Sequence, residues 1–375
     1  MIRILHICND FAGSKVHTNL VRKISEYDNV RQIVYCPVRN KKLLGGNKFD
    51  SDKVEFNYSF VIKPLYKFLY HHKIIVLFKD ASSMVDFEDV DLIHATTLFS
   101  DGGIALRIHE KYNIPFVVAV RSVDIEYFAK IQPHLWHIGR KILNKAQKIY
   151  FISPALKEEF KNLRMVKPVL KEIEHKFVLR TNGIDDFWIK NVRKDHTPGH
   201  KIIFVGQLIK RKNLCRLIDA IKKVREVPEF SDIKLEVVGG GDDKKTWRKI
   251  NDNKVFVEYK GQIKDKSILM NLLRNNSLFA MPSLHDTFGL TYIEALSQQL
   301  PIVYTKGQGV DGLFENIDNP VGIAVNPLSV DEIAEVIEII LKNPEKYSNR
   351  QVDFNMFDWA KIAEQYIKDY EEVIK

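Results

Sequence analysis

Short apolar runs alternate with longer amphipathic stretches along the whole chain. In the first half the runs at Ile2–Ile7, Arg31–Cys36, Val54–Phe56, Leu92–His94, Phe116–Val120 and Lys148–Ile152 predict strands. Between them a helical period predicts helices over His17–Tyr27, Gly102–Tyr112, Leu135–Ala146 and Pro154–Leu163. The second half repeats the scheme, with strands expected at Lys201–Val205, Lys234–Val238, Val255–Tyr259, Leu278–Met281, Ile302–Tyr304 and Gly322–Val325. Nearly continuous aliphatic runs separated by amphipathic helices are what parallel sheets covered on both faces require. The expected class is therefore α/β, with two doubly wound domains.

The pattern breaks once, at Asp185–Lys201, DDFWIKNVRKDHTPGHK, which is polar, lacks a sustained period and carries a Pro198-Gly199 turn signal. This places a Rossmann-like domain at 1–185, a linker at 186–200 and a second Rossmann-like domain at 201–357. The closing stretch Asp358–Lys375 has a helical period and is expected to pack back on the first domain. A length of 375 residues suits two domains of about 100–200 residues each.

Composition narrows the setting. The chain is 45% hydrophobic and 28% charged, and no apolar run approaches the ~20 residues of a membrane span. MIRILHICND enters a strand pattern at once, without a secretory signal's basic start and long apolar centre. Cys8, Cys36 and Cys215 are isolated, form no metal-ligand spacing and cannot all pair, which suits a reducing compartment. A cytoplasmic protein is expected. The net charge of +9 is uneven: residues 1–200 carry 32 basic and 22 acidic side chains, residues 201–375 carry 25 and 26. A basic first half fits an anionic substrate, an anionic membrane surface, a nucleic acid, or simply a solvated face.

The stretch richest in chemistry is Ser277–Gly309, SLFAMPSLHDTFGLTYIEALSQQLPIVYTKGQG. A buried strand ends at Pro282-Ser283, and a loop leads to a helix expected to start near Gly289 and to run to Gln298. In open parallel sheets ligands sit beyond the carboxyl ends of strands, and a helix N-terminus offers unpaired amides to a phosphate. Asp286 in the loop and Glu294 in the helix supply carboxylates that can accept from ribose or sugar hydroxyls. Taken singly, Asp286 would more often be a helix cap and Glu294 a solvated surface residue. A second element, Phe204–Asn213, runs from a strand through a glycine turn into Lys210, Arg211 and Lys212, cations suited to a diphosphate or to a solvated loop. A third, Val237–Gly241, places three glycines after a strand, where a nucleotide can approach the backbone or the chain merely turns.

Together these elements resemble the retaining glycosyltransferases of the GT-B fold known as family 4. The family's E-x₇-E pattern is matched by Asp286 and Glu294, its G-R-L…K-N element by Gly206-Gln207-Leu208 and Lys212-Asn213, its V-G-x-G loop by Val238–Gly241, and its V-x-F-x-G by Val257–Gly261. In the first half the resemblance rests on Leu92–Ala95, Pro115–Asp124, Phe151–Ser153 and Thr181–Asp185. It implies two domains facing across a cleft and a nucleoside-diphosphate sugar as substrate, with no cofactor. By the same resemblance Glu294 would bind the ribose, Lys212 the diphosphate with Gly206, Gln207, Arg211 and Gly240 nearby, and Phe288-Gly289-Leu290 would offer backbone amides. Asp286 would contact the transferred sugar, Gly13 would mark the glycine loop after the first strand, and Arg121 stands where many relatives have a histidine. No metal is implied, since lysine and helix N-terminus supply the positive charge.

Three departures bear on the donor: Asp286 for the usual glutamate, Gln207 for the usual arginine, and Arg121 for the histidine. The expected activity is transfer of a hexose-type sugar, with retention, to a hydroxyl of a saccharide or lipid-linked saccharide in cell-surface polysaccharide synthesis. The alternatives are a catalytically silent nucleotide-sugar or polysaccharide-binding protein and an epimerase or hydrolase of the same fold. Phe60–Lys79 interleaves Lys63, Lys67, Lys73 and Lys79 with Tyr66, Phe68, Leu69 and Tyr70. Such a segment can lie peripherally on an anionic inner membrane face, or be an ordinary helix and strand. Nucleic acid is not expected as a partner, because no helix-turn-helix, zinc-finger or RNP signature is present.

Overall fold

The computed structural model describes residues 1–347 and 351–375, apart from the side chain of Lys67. The chain forms two compact units, one of residues 1–152, 156–183 and 359–375, the other of residues 153–155 and 184–358.

The first unit is built on seven parallel strands, β1 (Ile2–Ile7), β2 (Val30–Pro37), β3 (Val54–Ser59), β4 (Leu92–Ala95), β5 (Phe116–Ala119), β6 (Ile149–Phe151) and β7 (Phe177–Leu179), in the order β3-β2-β1-β4-β5-β6-β7. The direction of winding reverses at β1 and β4, where Ile4 pairs with both Gln32 and Leu92. Every residue of β4 and β5 is buried, so these aliphatic runs hold the centre of the sheet. The strand β7 was absent from the sequence expectation. It is three residues long, only half-buried, and preceded by the charged turn Glu174–Lys176.

The terminal helix Trp359–Ile374 belongs to this first unit and closes one face of its sheet. Its apolar stripe of Trp359, Ile362, Ala363, Tyr366, Ile367 and Tyr370 packs with Ile4, Leu20, Ile24, Leu92 and Tyr150. On its edge Asp369, nearly fully buried, receives Arg180 through Nε and Nη2 at 2.8 and 2.9 Å and Lys148 Nζ at 2.7 Å. The two-pronged guanidinium contact fixes both carboxylate oxygens.

The second unit carries six parallel strands, β8 (Lys201–Val205), β9 (Lys234–Val238), β10 (Val257–Gly261), β11 (Leu278–Ala280), β12 (Ile302–Thr305) and β13 (Gly322–Val325), in the order β10-β9-β8-β11-β12-β13. Its reversal lies at β8 and β11. Residues 186–200, read from sequence as a linker, lie within this unit: Asp186–Lys190 is a short helix, Trp188 is buried, and the Arg193 amide donates to Ser297 O. Periodicity gave no signal there because five helical residues are too few to show a face.

Phe60–Lys79 resolves into an extended stretch, a tight turn over Pro64–Lys67 and the first part of a helix, Tyr70–Ser82. Tyr66, Tyr70 and Lys73 are buried, while Phe68 and Leu65 are exposed. Lys67's side chain lies outside the described residues. Among the described residues no helix is long and apolar enough to cross a membrane.

Candidate functional site

In the second unit three loops gather at the carboxyl ends of β8, β9 and β11, the position at which doubly wound sheets take ligands. The loop after β8 turns at Gly206, whose amide donates to Val238 O, and the Leu208 amide donates to Gly240 O. The approach between these strands is so close that a Cβ at Gly239 would stand 1.8 Å from Gly206 O, and one at Gly241 2.4 Å from Leu208 O. Gly239 and Gly241 therefore serve strand-loop packing here, whatever else they do. Gln207 is exposed.

The basic cluster follows as a single tight turn, Lys210–Lys212, ended by Asn213 in the left-handed region at φ 59°. Asparagine tolerates that conformation. Its buried amide nitrogen donates to Pro282 O at 2.8 Å and Pro327 O at 2.7 Å, locking the turn to the end of β11. Two further bonds join the loops: Leu284 N donates to Arg211 O, and the Arg211 guanidinium donates to His285 O at 3.2 Å. Lys212 is thereby delivered to Asp286, with Nζ 2.6 Å from Oδ2 and both side chains mostly covered. Lys210 and Arg211 remain exposed.

Asp286 is held from the other side as well, its amide donating to Gln308 Oε1 at 2.9 Å. Behind it the helix Leu290–Ser297 begins at Gly289, which has φ +78°. A Cβ there would meet the Tyr292 ring at 2.4 Å, so glycine is required by both backbone and space. Tyr292 is itself fixed, its hydroxyl donating to Met281 O. Phe288 is buried against Phe357, with ring centres 6.3 Å apart. Helix start, lysine and carboxylate thus converge on one rim.

Glu294 is the fifth residue of that helix. Burial pushes its carboxyl up to about 7, against the opposing pull of Lys266 and with Asp185 adding to the rise, while a hydrogen bond from Trp188 lowers it. Lys266 and Asp185 form an ion pair beside it. Sequence reasoning singled out Glu294 but missed Trp188 and Lys266, which lie far from it in the chain and carry no motif. Asn213 and Gln308, which position the cation and the carboxylate, were likewise not assigned roles, although Asn213 stood in a quoted motif.

Gly13 and Arg121 belong to the first unit. Gly13 closes a tight turn after β1, its amide donating to Asp10 O at 3.1 Å. Arg121 follows β5, half-buried, with Nε donating to Thr96 O at 3.3 Å and its amide to the buried Asp124 carboxylate. The same carboxylate accepts from the Leu98 and Phe99 amides at 3.0 Å, and burial raises it to about 6.

A cation, a helix N-terminus and two carboxylates around strand ends can hold phosphate and sugar hydroxyls together. The profile of glycosyl transferases group 1 matches residues 186–352, and that of glycosyltransferase family 4 matches residues 18–185. An uncharacterized glycosyltransferase of Methanocaldococcus jannaschii is 22% identical over 313 residues, covering 80% of each chain. Among solved structures, sucrose-phosphate synthase of Thermosynechococcus elongatus superposes with a TM-score of 0.69 at 17% identity, over 99% of both chains. The Anabaena protein HepE in complex with UDP gives 0.69 at 17% identity, over 99% of this chain and 100% of that one. These similarities confirm the GT-B arrangement of two parallel α/β sheets.

Proposed function

The chain belongs to the GT-B glycosyltransferases of family 4, and from that premise we propose that it moves a hexose-type sugar, with retention, from a nucleoside diphosphate to a hydroxyl of a saccharide or lipid-linked saccharide. The observation that carries this reading is the 2.6 Å contact of Lys212 with Asp286 at the start of the helix Leu290–Ser297. A lysine held there without a bound anion is neutralised by the carboxylate. When a diphosphate arrives, its charge offers a stronger partner, and Asp286 is freed to accept from hydroxyls of the sugar.

In the proposed mechanism Lys212 and the first amides of that helix stabilise the charge that develops as the nucleoside diphosphate departs. Glu294 holds the ribose through hydroxyl hydrogen bonds, and its enclosure makes each of them stronger than it would be in water. Lysine and helix dipole supply the counter-charge, so the transfer runs without a metal. We assign the activity to cell-surface polysaccharide synthesis on the cytoplasmic side of the membrane, with peripheral attachment through the exposed Leu65, Phe68 and Leu69.

The test is a thermal-shift and calorimetric screen of UDP, GDP, ADP and their sugar conjugates against wild type and Glu294→Ala. A selective stabilisation by one nucleotide, lost in the variant, is expected, because a ligand bound only by the native state raises its stability by mass action. No response to any nucleotide would overturn the transferase reading. Selective binding without turnover over a broad acceptor panel would favour a silent binding protein, for which Gln207 in place of arginine is the motivating feature.

A further inference from the structure

The first unit contains a cavity of about 540 Å³. Residues that follow four successive neighbours in the sheet reach it: Asn9 after β1, Arg39 after β2, Thr97 and Ser100 after β4, and Val123 after β5. The cavity thus occupies the ligand position of the first sheet, as the loops around Lys212 occupy that of the second.

Its walls are of two kinds. Tyr66, Tyr70 and Phe128 give an apolar, largely buried side. Tyr70 is fixed by donating to Phe99 O at 2.8 Å, and Phe128 stacks on Phe99 at 4.7 Å. Arg39, Lys63 and Lys73 give a cationic side, and among the described residues no carboxylate lines the cavity.

Lys73 is the informative residue. It is only 8% exposed, and the one described acceptor for its three N–H bonds is Ser100 Oγ at 2.7 Å. Among the described residues none of the three cations makes an ion pair. The nearby Asp101 is already engaged, accepting from Asn9 Nδ2 and Thr96 Oγ1 at 2.8 Å each. Burial lowers Lys73 to about 8, against the opposing pull of Asp101 and Asp124, with neither of which it forms an ion pair. The helix Ser100–Tyr112 starts at the same cavity and adds the positive end of its dipole. A site lined by three cations that form no ion pair among the described residues, beside rigid aromatic walls, is suited to receive a negative charge on a molecule with an apolar face.

We propose that this cavity is the acceptor site, and that the acceptor is a sugar carrying a phosphate or a carboxylate, its anion held by Lys73 and Arg39 and its ring by Tyr66, Tyr70 and Phe128. This rests on the transferase reading and adds the acceptor's chemical class to it.

The experiment is calorimetric titration of the full chain with glucose 6-phosphate, glucuronate and glucose, with UDP titrated in parallel, on wild type, Lys73→Met and Arg39→Gln. At least one anionic sugar is expected to bind tenfold or more tighter than glucose. That preference should fall about tenfold in each variant while UDP affinity stays unchanged. The two anionic sugars distinguish a phosphate from a carboxylate as the recognised group. Arg39 is exposed, so Arg39→Gln keeps the test decisive if Lys73→Met does not fold. Equal binding of glucose and both anions, or a preference that survives the substitutions, with UDP still bound, would overturn the acceptor assignment alone. Anion binding without any nucleotide binding would remove the donor reading, and the acceptor assignment with it.

Discussion

Lys212 and Asp286 stand 74 positions apart in the chain and meet at 2.6 Å, one carried by the loop after β8 and the other by the loop after β11. Removing the lysine does two things at once. It takes away the cation proposed to face the departing diphosphate, and it leaves a mostly covered carboxylate without its partner. Lys212→Ala is expected to lower kcat about 10²–10³-fold, the usual loss for one preorganised donor at developing negative charge. Lys212→Ala/Asp286→Asn should fold better than Lys212→Ala without regaining activity. Steady-state turnover and thermal midpoints of both variants check this pair of outcomes.

Glu294 makes nucleotide binding pH-dependent. Its carboxyl titrates near 7 in the folded chain rather than at 4.5, and only the ionised form accepts from both ribose hydroxyls. Affinity for the nucleotide should therefore weaken by roughly tenfold between pH 8 and pH 6. Stability follows the opposite sign: the folded state holds this proton more tightly, so the contribution is present below pH 4.5 and is lost as the pH rises through 7. In Glu294→Gln both slopes should flatten. Calorimetry and denaturant unfolding over the same pH range read them separately.

Gly239 is fixed by packing. A methyl group there would stand 1.8 Å from Gly206 O, and the residue's φ is +146°. Gly239→Ala must push β9 away from the loop after β8, at a cost of about 3 kcal/mol or more. A fall of roughly 6–12 °C in thermal midpoint is expected. Gly240→Ala meets only the Gln262 side chain, 3.0 Å away, and should be markedly milder.

How far the sequence announces this structure depends on how local each cause is. The strands Ile2–Ile7, Lys201–Val205, Lys234–Val238 and Gly322–Val325 were legible to the residue, since buried parallel strands need continuous apolar runs. The strand Phe177–Leu179 was not, because three half-buried residues between charged turns leave no pattern. Gly289 could be placed at the helix start because only glycine suits that backbone. Lys212, Asp286 and Glu294 were named singly, yet nothing local says that two of them touch or that Trp188 and Lys266 surround the third. Lys73 shows the limit most clearly. In a basic, aromatic segment it reads as one more surface lysine, and only the packing of Tyr70–Ser82 against the start of Ser100–Tyr112 turns it inward to Ser100 Oγ.

Asp369 anchors the terminal helix through Arg180 and Lys148. It is 3% exposed, so Asp369→Ala strands Arg180 at a partly buried edge, while Lys148 keeps its bond to Glu372. A loss of about 3–5 kcal/mol is expected, as for other buried pairs broken on one side. The Lys368→Ala substitution, on the exposed face of the same helix, should cost less than ~1 kcal/mol. Parallel urea titrations of the two variants make the comparison.

That helix also sets an order of events during synthesis. The polypeptide leaves the first unit at Gly183 and re-enters it at Trp359, so the unit that emerges first from the ribosome is completed last. Until Trp359–Ile374 has emerged, the surface formed by Ile4, Leu20, Ile24 and Leu92 has no cover, while the later-made unit already has every strand it needs. Nascent chains are therefore expected to carry a finished second unit and an open first one. A frameshift just before Trp359 would leave the second unit whole and the N-terminal core uncovered.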